Sequence, residues 1–270
     1  MLYYIYGEKT MKNFLTTMAC GAMLATAANA DFARVEAGAG LWMQTPTGYS
    51  SRTDGDGLLN LDGTYISSET DSTETYAWIL VKHPLPIIPN LRLEYVTLSD
   101  EGDTTGTING VGIPGGAASP TTIDMTQFDI IPYYNLLDNT FWITIDVGLD
   151  IKVIQSDITF GAVPSSNPLV PGFEAYSSSD TTAIPLLYLR GRVQIPTTNI
   201  GFESDVKVIS DGTNTMYDVR GKVDYTLDFI PIVQPALEVG YRVQQLTVDD
   251  GSTQVDLNYA GVYAGLMLRF

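Results

Sequence analysis

Residues 215–229 read Thr-Met-Tyr-Asp-Val-Arg-Gly-Lys-Val-Asp-Tyr-Thr-Leu-Asp-Phe. One register of this run carries Tyr217, Val219, Gly221, Val223, Tyr225, Leu227 and Phe229, and the other carries Asp218, Arg220, Lys222, Asp224, Thr226 and Asp228. A strict period of two is the signature of a β-strand with one apolar and one charged face. The stretch 141–153 repeats the pattern, with Phe141, Ile143, Ile145, Val147, Leu149, Ile151 and Val153 set against Thr144, Asp146, Asp150 and Lys152. Strands of a soluble sandwich also alternate, but they usually stop after about five or six residues. These run well beyond that, as strands must when they cross a bilayer at a tilt.

Segmenting the chain on the same rule gives ten strands, at 34–45, 74–83, 91–99, 124–135, 140–157, 181–195, 199–210, 214–229, 235–249 and 253–270. The connections alternate in kind. Tight or proline-marked turns fall at 84–90, at Leu137-Asp138-Asn139, at Pro196-Thr197-Thr198 and at Ile230-Pro231-Ile232. Between them lie the polar stretches 46–73, 100–123 and 158–180, with short ones at 211–214 and 249–252. An even strand number, with short turns at one end and longer loops at the other, predicts an all-β fold: a transmembrane antiparallel up-and-down β-barrel of about ten strands. Leu58-Leu59-Asn60-Leu61 and Tyr65-Ile66 have strand character too, so eight or twelve strands stay open.

Both termini agree with this reading. Met11-Lys12, the small apolar run 14–27 and Ala28-Asn29-Ala30 form a signal peptide over residues 1–30, cut after the small-x-small pattern at Ala28 and Ala30; residues 1–10 precede a better initiator. The remaining 31–270 is expected to be a single barrel domain. The last strand, Tyr263-Ala264-Gly265-Leu266-Met267-Leu268-Arg269-Phe270, looks like the signal read by the barrel-assembly machinery. Tyr263, Gly265, Leu268 and the terminal aromatic Phe270 carry that signal, and Val262, Ala264 and Leu266 continue the lipid-facing register.

Composition excludes several classes. The sequence holds 14 basic and 31 acidic residues; removing Glu8, Lys9 and Lys12 with the signal leaves 12 and 30, a net charge of −18. Such a surface repels nucleic acid, whose binding depends on cationic side chains neutralising phosphates. Cys20, the sole cysteine, lies within the signal, so thiol and zinc-thiolate chemistry is ruled out for residues 31–270. Aromatics gather near strand ends, Tyr134, Phe141, Tyr225, Phe229 and Phe270 at the short-turn end and Tyr217 toward the loops, as interfacial residues do.

Several segments resemble a known family. Tyr76-Ala77-Trp78, His83-Pro84, Pro86, Pro89-Asn90-Leu91-Arg92-Leu93-Glu94-Tyr95, Tyr133-Tyr134, Pro185-Leu186-Leu187-Tyr188 and 237–242 are similar to an uncharacterised proteobacterial family of outer-membrane barrels with a glycine-rich first strand. Here Gly38 and Gly40 are separated by Ala39, a looser cluster than that family's. The resemblance implies the fold and a location in the cell outer membrane, and no activity, cofactor or ligand.

The inward register assigns a charged network to Glu36, Arg92, Glu94, Asp129, Asp146, Asp150, Lys152, Arg190, Arg192, Glu203, Asp205, Lys207, Asp218, Arg220, Lys222, Asp224, Asp228, Glu238 and Arg242. A cation pointed at lipid costs about 2–4 kcal/mol near the midplane, so the register is forced. Mixed signs in a narrow lumen predict ion pairs that fill it, since a buried charge persists only when paired and hydrogen-bonded. The acidic loop clusters Asp54-Gly55-Asp56, Asp100-Glu101-Gly102-Asp103 and Asp249-Asp250 read as a solvated rim that attracts divalent cations non-specifically, without a complete calcium spacing. His83, the only histidine, sits beside Pro84 at the short-turn end, away from the rim where barrel enzymes place a catalytic base.

The expectation is an integral outer-membrane barrel with a structural or surface-interaction role, a narrow or plugged lumen, no cofactor and no catalytic activity. Its expected partners are membrane lipid, lipopolysaccharide and, during insertion, the assembly machinery. A narrow, weakly cation-selective, porin-like solute channel is the alternative, and a barrel enzyme the second.

Overall fold

Alternation sustained along the chain gives strands: β1 (Arg34–Arg52), β2 (Leu61–Ser67), β3 (Ser72–Lys82), β4 (Asn90–Ile108), β5 (Val111–Gly112), β6 (Ser119–Thr140), β7 (Ile143–Phe160), β8 (Tyr176–Gln194), β9 (Ile200–Ser210), β10 (Thr215–Thr226), β11 (Gln234–Asp249) and β12 (Thr253–Arg269). The computed structural model describes residues 33–52, 61–85, 87–108, 111–165, 171–227, 233–249 and 251–270. The signal segment with Ala28 and Ala30, the Asp54-Gly55-Asp56 cluster, Asp228 and the turn 230–232 lie outside the described residues. Among those described, no helix is long and apolar enough to cross a membrane.

Ten strands close a ring in the order β1-β3-β4-β6-β7-β8-β9-β10-β11-β12 and back to β1, each neighbour antiparallel. The seam between β12 and β1 runs in register from Glu36↔Arg269 to Arg52↔Thr253. Beyond it, Val35 and Phe270 exchange backbone hydrogen bonds in both directions. Closure leaves no strand edge, the condition for placing a sheet in hydrocarbon. β2 adds no member to the ring. It occupies the slot between β1 and β4 above β3, pairing with Tyr49–Arg52 on one side and with 102–108 on the other. The strand character at 61–67 therefore lengthens one stave of a ten-strand wall.

The outward face of β7 shows the lipid band. Ile143, Ile145, Val147, Leu149, Ile151 and Val153 are followed on the same face by Gln155, Asp157 and Thr159. Residues 143–153, at about 3.4 Å each and a tilt of about 45°, span about 25 Å, the expected height of the apolar belt. Tyr134, Phe141, Trp142 and Tyr225 are exposed at its short-turn edge, and Tyr95 meets Phe128 edge-on at 5.1 Å on the far side.

Two expectations are corrected. The stretches 46–73 and 100–123 are in large part strand, and 158–180 is strand at both its ends, because β1, β4, β6, β7 and β8 continue beyond the band. There the outward residues turn polar while ladder hydrogen bonds go on in water, so hydrophobic alternation ends before the strand does. The turn expected at Leu137-Asp138-Asn139 is instead the bulged end of β6, with register shifts on both sides of Leu137 and an ion pair from Lys82 to Asp138. The reversal falls on Phe141 and Trp142, both at positive φ (54° and 65°).

The glycines of β1 are explained by what crosses them. A Cβ on Gly38 would lie 2.6 Å from Trp78 Nε1, and one on Gly40 would lie 2.6 Å from the Tyr76 hydroxyl. Both rings lie flat against the inner wall only because those positions carry no side chain.

Candidate functional site: the charged lumen

Each described residue of the predicted network points inward and is buried, from Glu36 on β1 to Arg242 on β11. Near the short-turn end Glu36 lies between Arg34 (3.3 Å) and Arg269 (3.2 Å). Arg192 holds Asp224 with both guanidinium nitrogens, at 2.7 and 3.0 Å, and Arg269 reaches the same carboxylate at 2.5 Å. One layer further in, Arg190 joins Asp146 (2.5 Å) to Glu203 (2.7 Å). Glu203 also receives Lys222 (3.4 Å) and Arg92 (3.5 Å).

The central layer bridges the barrel. Glu94 on β4 pairs with Lys207 on β9 at 2.5 Å and Arg220 on β10 at 3.0 Å, four and five strands away around the ring. Arg220 also holds Asp205, and Lys207 meets Asp129. Lys152 on β7 connects Asp129 (2.7 Å) with Asp218 (3.2 Å). Asp218 is in turn gripped by Arg242 at 2.5 and 2.9 Å. Side chains from facing walls thus touch directly.

Aromatic residues line one wall of this network. Glu238 accepts from the Tyr76 hydroxyl at 2.8 Å, from Trp78 Nε1 at 3.2 Å and from Lys222 at 2.8 Å. Arg92 and Lys222 stand 5.0 and 4.6 Å from the Trp78 ring centroid, and Arg242 5.0 Å from that of Trp42, so these cations gain π partners besides carboxylates. Toward the loops Ile154, Leu186 and Met216 form an apolar cluster on the inner face of the β7–β10 wall.

Asp150 differs from the rest. It is fully buried on β7, yet among the described residues it has neither a hydrogen-bond partner nor an ion pair, while the neighbouring Lys152 and Lys207 are held by Asp129, Asp218 and Glu94. Arg34, Arg269, Tyr76 and Trp78 are network members that the sequence reading omitted. Alternation alone gives Arg269, since Leu268 faces lipid; the aromatic donors carry no charge signal. Of the proposed assembly signal, Tyr263 is buried inward over Gly240, Gly265 lies beneath the Tyr76 hydroxyl, Leu268 faces outward and Phe270 closes the seam.

His83 is occupied by its own turn. Its Nδ1 accepts from the Leu85 amide at 3.2 Å and its Nε2 lies 3.1 Å from the Pro89 carbonyl. Among the described residues no group of three or more His, Cys, Asp or Glu side chains is placed to hold a metal ion. A 450 Å³ groove lies on the outside of the wall, where Gly191, Ser204 and Gly221 line up between Val193, Phe202 and Val223, and it opens to lipid, not to the lumen.

These features define the chain as a closed ten-stranded antiparallel membrane barrel with a charge-filled interior. No protein-family model and no curated sequence matches it. Among solved structures it is similar to the outer membrane protease OmpT from Escherichia coli, with a TM-score of 0.55 and 11% identity over 91% of this chain and 100% of that one. A FadL homologue from Pseudomonas aeruginosa (TM-score 0.35, 8% identity, 91% of this chain and 93% of that one) and the P. putida toluene transporter TodX (0.32, 9%, 92% and 91%) are more distant. The first likeness is one of fold, and the fold is that of bacterial outer-membrane proteins.

Proposed function

We propose that this protein is an integral barrel of the bacterial outer membrane whose lumen is plugged by its own ion pairs, and that it acts through its surface and loops, without catalysis. The observation that supports the reading is the set of pairs Glu94–Lys207, Glu94–Arg220 and Lys152–Asp218, which join side chains from separated strands inside the lumen. A role for Tyr263, Gly265, Leu268 and Phe270 in recognition by the assembly machinery, and of lipopolysaccharide and divalent cations as partners of the acidic loops, belongs to the same proposal. Against an enzyme stands the position of His83, held within a short turn. Purified protein in a planar bilayer is expected to show no stable conductance. A large, cation-selective conductance would overturn the plug in favour of the solute channel, with the acidic loops concentrating cations at its mouth.

A further inference from the structure

Just beyond the lipid band on the loop side, five inward side chains gather: Gln44 Oε1, Gln244 Oε1 and the Tyr259 hydroxyl have no hydrogen-bond partner, and Asp100 Oδ2 has only the Tyr65 hydroxyl within reach. They come from β1, β2, β4, β11 and β12, one continuous arc of wall, and none is more than 4% exposed. Ladder contacts and hydrogen bonds bring them together. Ser67 Oγ donates to Asp100 Oδ1 at 2.8 Å and reaches the Pro46 carbonyl at 3.4 Å. Tyr259 is paired with Pro46 on one side and Gln244 on the other. Gln44 Nε2 donates to the Ser99 carbonyl at 3.1 Å, which leaves its Oε1 free. The Tyr65 ring lies over Gly102, the next inward position after Asp100 on β4.

The chemistry of the group is one-sided. Asp100 is 1% exposed and has no ion-pair partner among the described residues, unlike the paired acids of the lumen below. The Ser67 and Tyr65 hydroxyls supply it with hydrogen bonds, but these carry no full positive charge, and a buried carboxylate left without a cation or a proton is costly. Its surroundings are two amide carbonyls and two hydroxyls, all hard oxygen donors of the kind that ligate alkali and alkaline-earth ions. The formal charge of the group is a single negative one, so a monovalent ion brings it to neutrality, whereas a divalent ion would leave a buried positive charge.

We propose that Asp100, Gln44, Gln244, Tyr65 and Tyr259 form a site for one alkali-metal cation at the loop-side end of the lumen, locking β4 to the β11-β12-β1 arc. The inference does not depend on whether the lumen below is plugged.

The test is thermal unfolding of the folded, detergent-purified full barrel in NaCl, KCl or choline chloride at equal ionic strength, with CaCl2 as a separate arm. Screening of the acidic loops is common to the three monovalent salts, and a bound ion is not. The melting temperature is expected to rise by several degrees in NaCl or KCl over choline chloride, saturably, as for any ligand that binds only the native state. Asp100→Asn should remove the difference, and Tyr259→Phe should raise the half-saturating salt concentration several-fold. Equal melting temperatures in all three salts, or an undiminished difference in Asp100→Asn, would overturn the site, the carboxyl then being neutralised by a proton. A response confined to calcium would overturn the monovalent assignment. If Asp100→Asn does not fold, sodium-23 line broadening by the wild type, displaced by potassium, decides: no broadening beyond that of the Tyr259→Phe protein counts against the site.

Discussion

At the scale of single residues, the lumen shows what a charge needs in order to stay buried. Asp205 has one ion-pair partner among the described residues, Arg220, while Glu94 has Arg92 and Lys207 besides. Arg220→Ser should therefore cost about 3–5 kcal/mol of folded stability, the usual result of leaving a buried charge alone. Asp150→Asn should cost little or stabilise, because Asp150 makes no hydrogen bond to lose. Urea unfolding of both variants in lipid vesicles checks the contrast. Asp211, in the loop between β9 and β10, is held at about pKa 2, chiefly by the Asn214 amide, with the Asn214 side chain and the Thr213 amide adding to it. A carboxyl depressed in the folded state stabilises its turn fully above the ordinary aspartate pKa, and the contribution fades as pH falls toward 2. Amide exchange at Thr213 and Asn214 should accelerate relative to neighbouring loops over that window, and Asp211→Ala should abolish the difference.

At the scale of elements, each strand is fixed by what its two faces touch. Val223 faces outward on β10 between the inward Lys222 and Asp224, one outward position inside Tyr225 at the edge of the band. Val223→Arg should destabilise insertion by about 1–3 kcal/mol, between the interfacial and midplane costs, read as loss of heat-modifiable folded protein, with no change in conductance. The β6-β7 turn makes the opposite compromise. Phe141 and Trp142 occupy left-handed backbone that Asn and Gly take without penalty, and both are highly exposed beside the band edge. The double change Phe141→Asn, Trp142→Gly should stabilise the barrel in detergent by about 1–3 kcal/mol. In bilayers the gain should shrink, since the two rings there lose their interfacial anchoring.

At the scale of the whole molecule, conductance depends on pairs that no single strand contains. The arginines at positions 192 and 220 bridge Asp224 to Glu203 and Asp205 to Glu94. Replacing both by serine should open a leak in planar bilayers where the wild type is silent, because Arg220, which reaches across to Glu94, and Arg192, which holds the short-turn layer, both become short and their carboxylates draw in water. A double variant that stays silent while folded would place the seal elsewhere, with the apolar cluster of Ile154, Leu186 and Met216 the next element to remove.

The sequence alone determined which residues face inward and pointed to about ten strands, while ring closure decided between ten and the alternatives of eight or twelve. Side chains on a strand alternate strictly, and lipid rejects charge, so one register of 215–229 or 143–153 leaves no choice of face. It did not determine where strands end, because outside the band polar outward residues remove the hydrophobic signal while the backbone ladder continues. Nor did it show which carboxylate meets which cation. Glu94 and Arg220 are 126 positions apart, and they meet because the ring closes, with ten tilted strands setting β4 against β10. Only that closure separated the saturated acids from Asp150 and Asp100. It also showed why Gly38 and Gly40 are glycines: Trp78 and Tyr76 on the adjoining strand lie across them to reach Glu238 on β11.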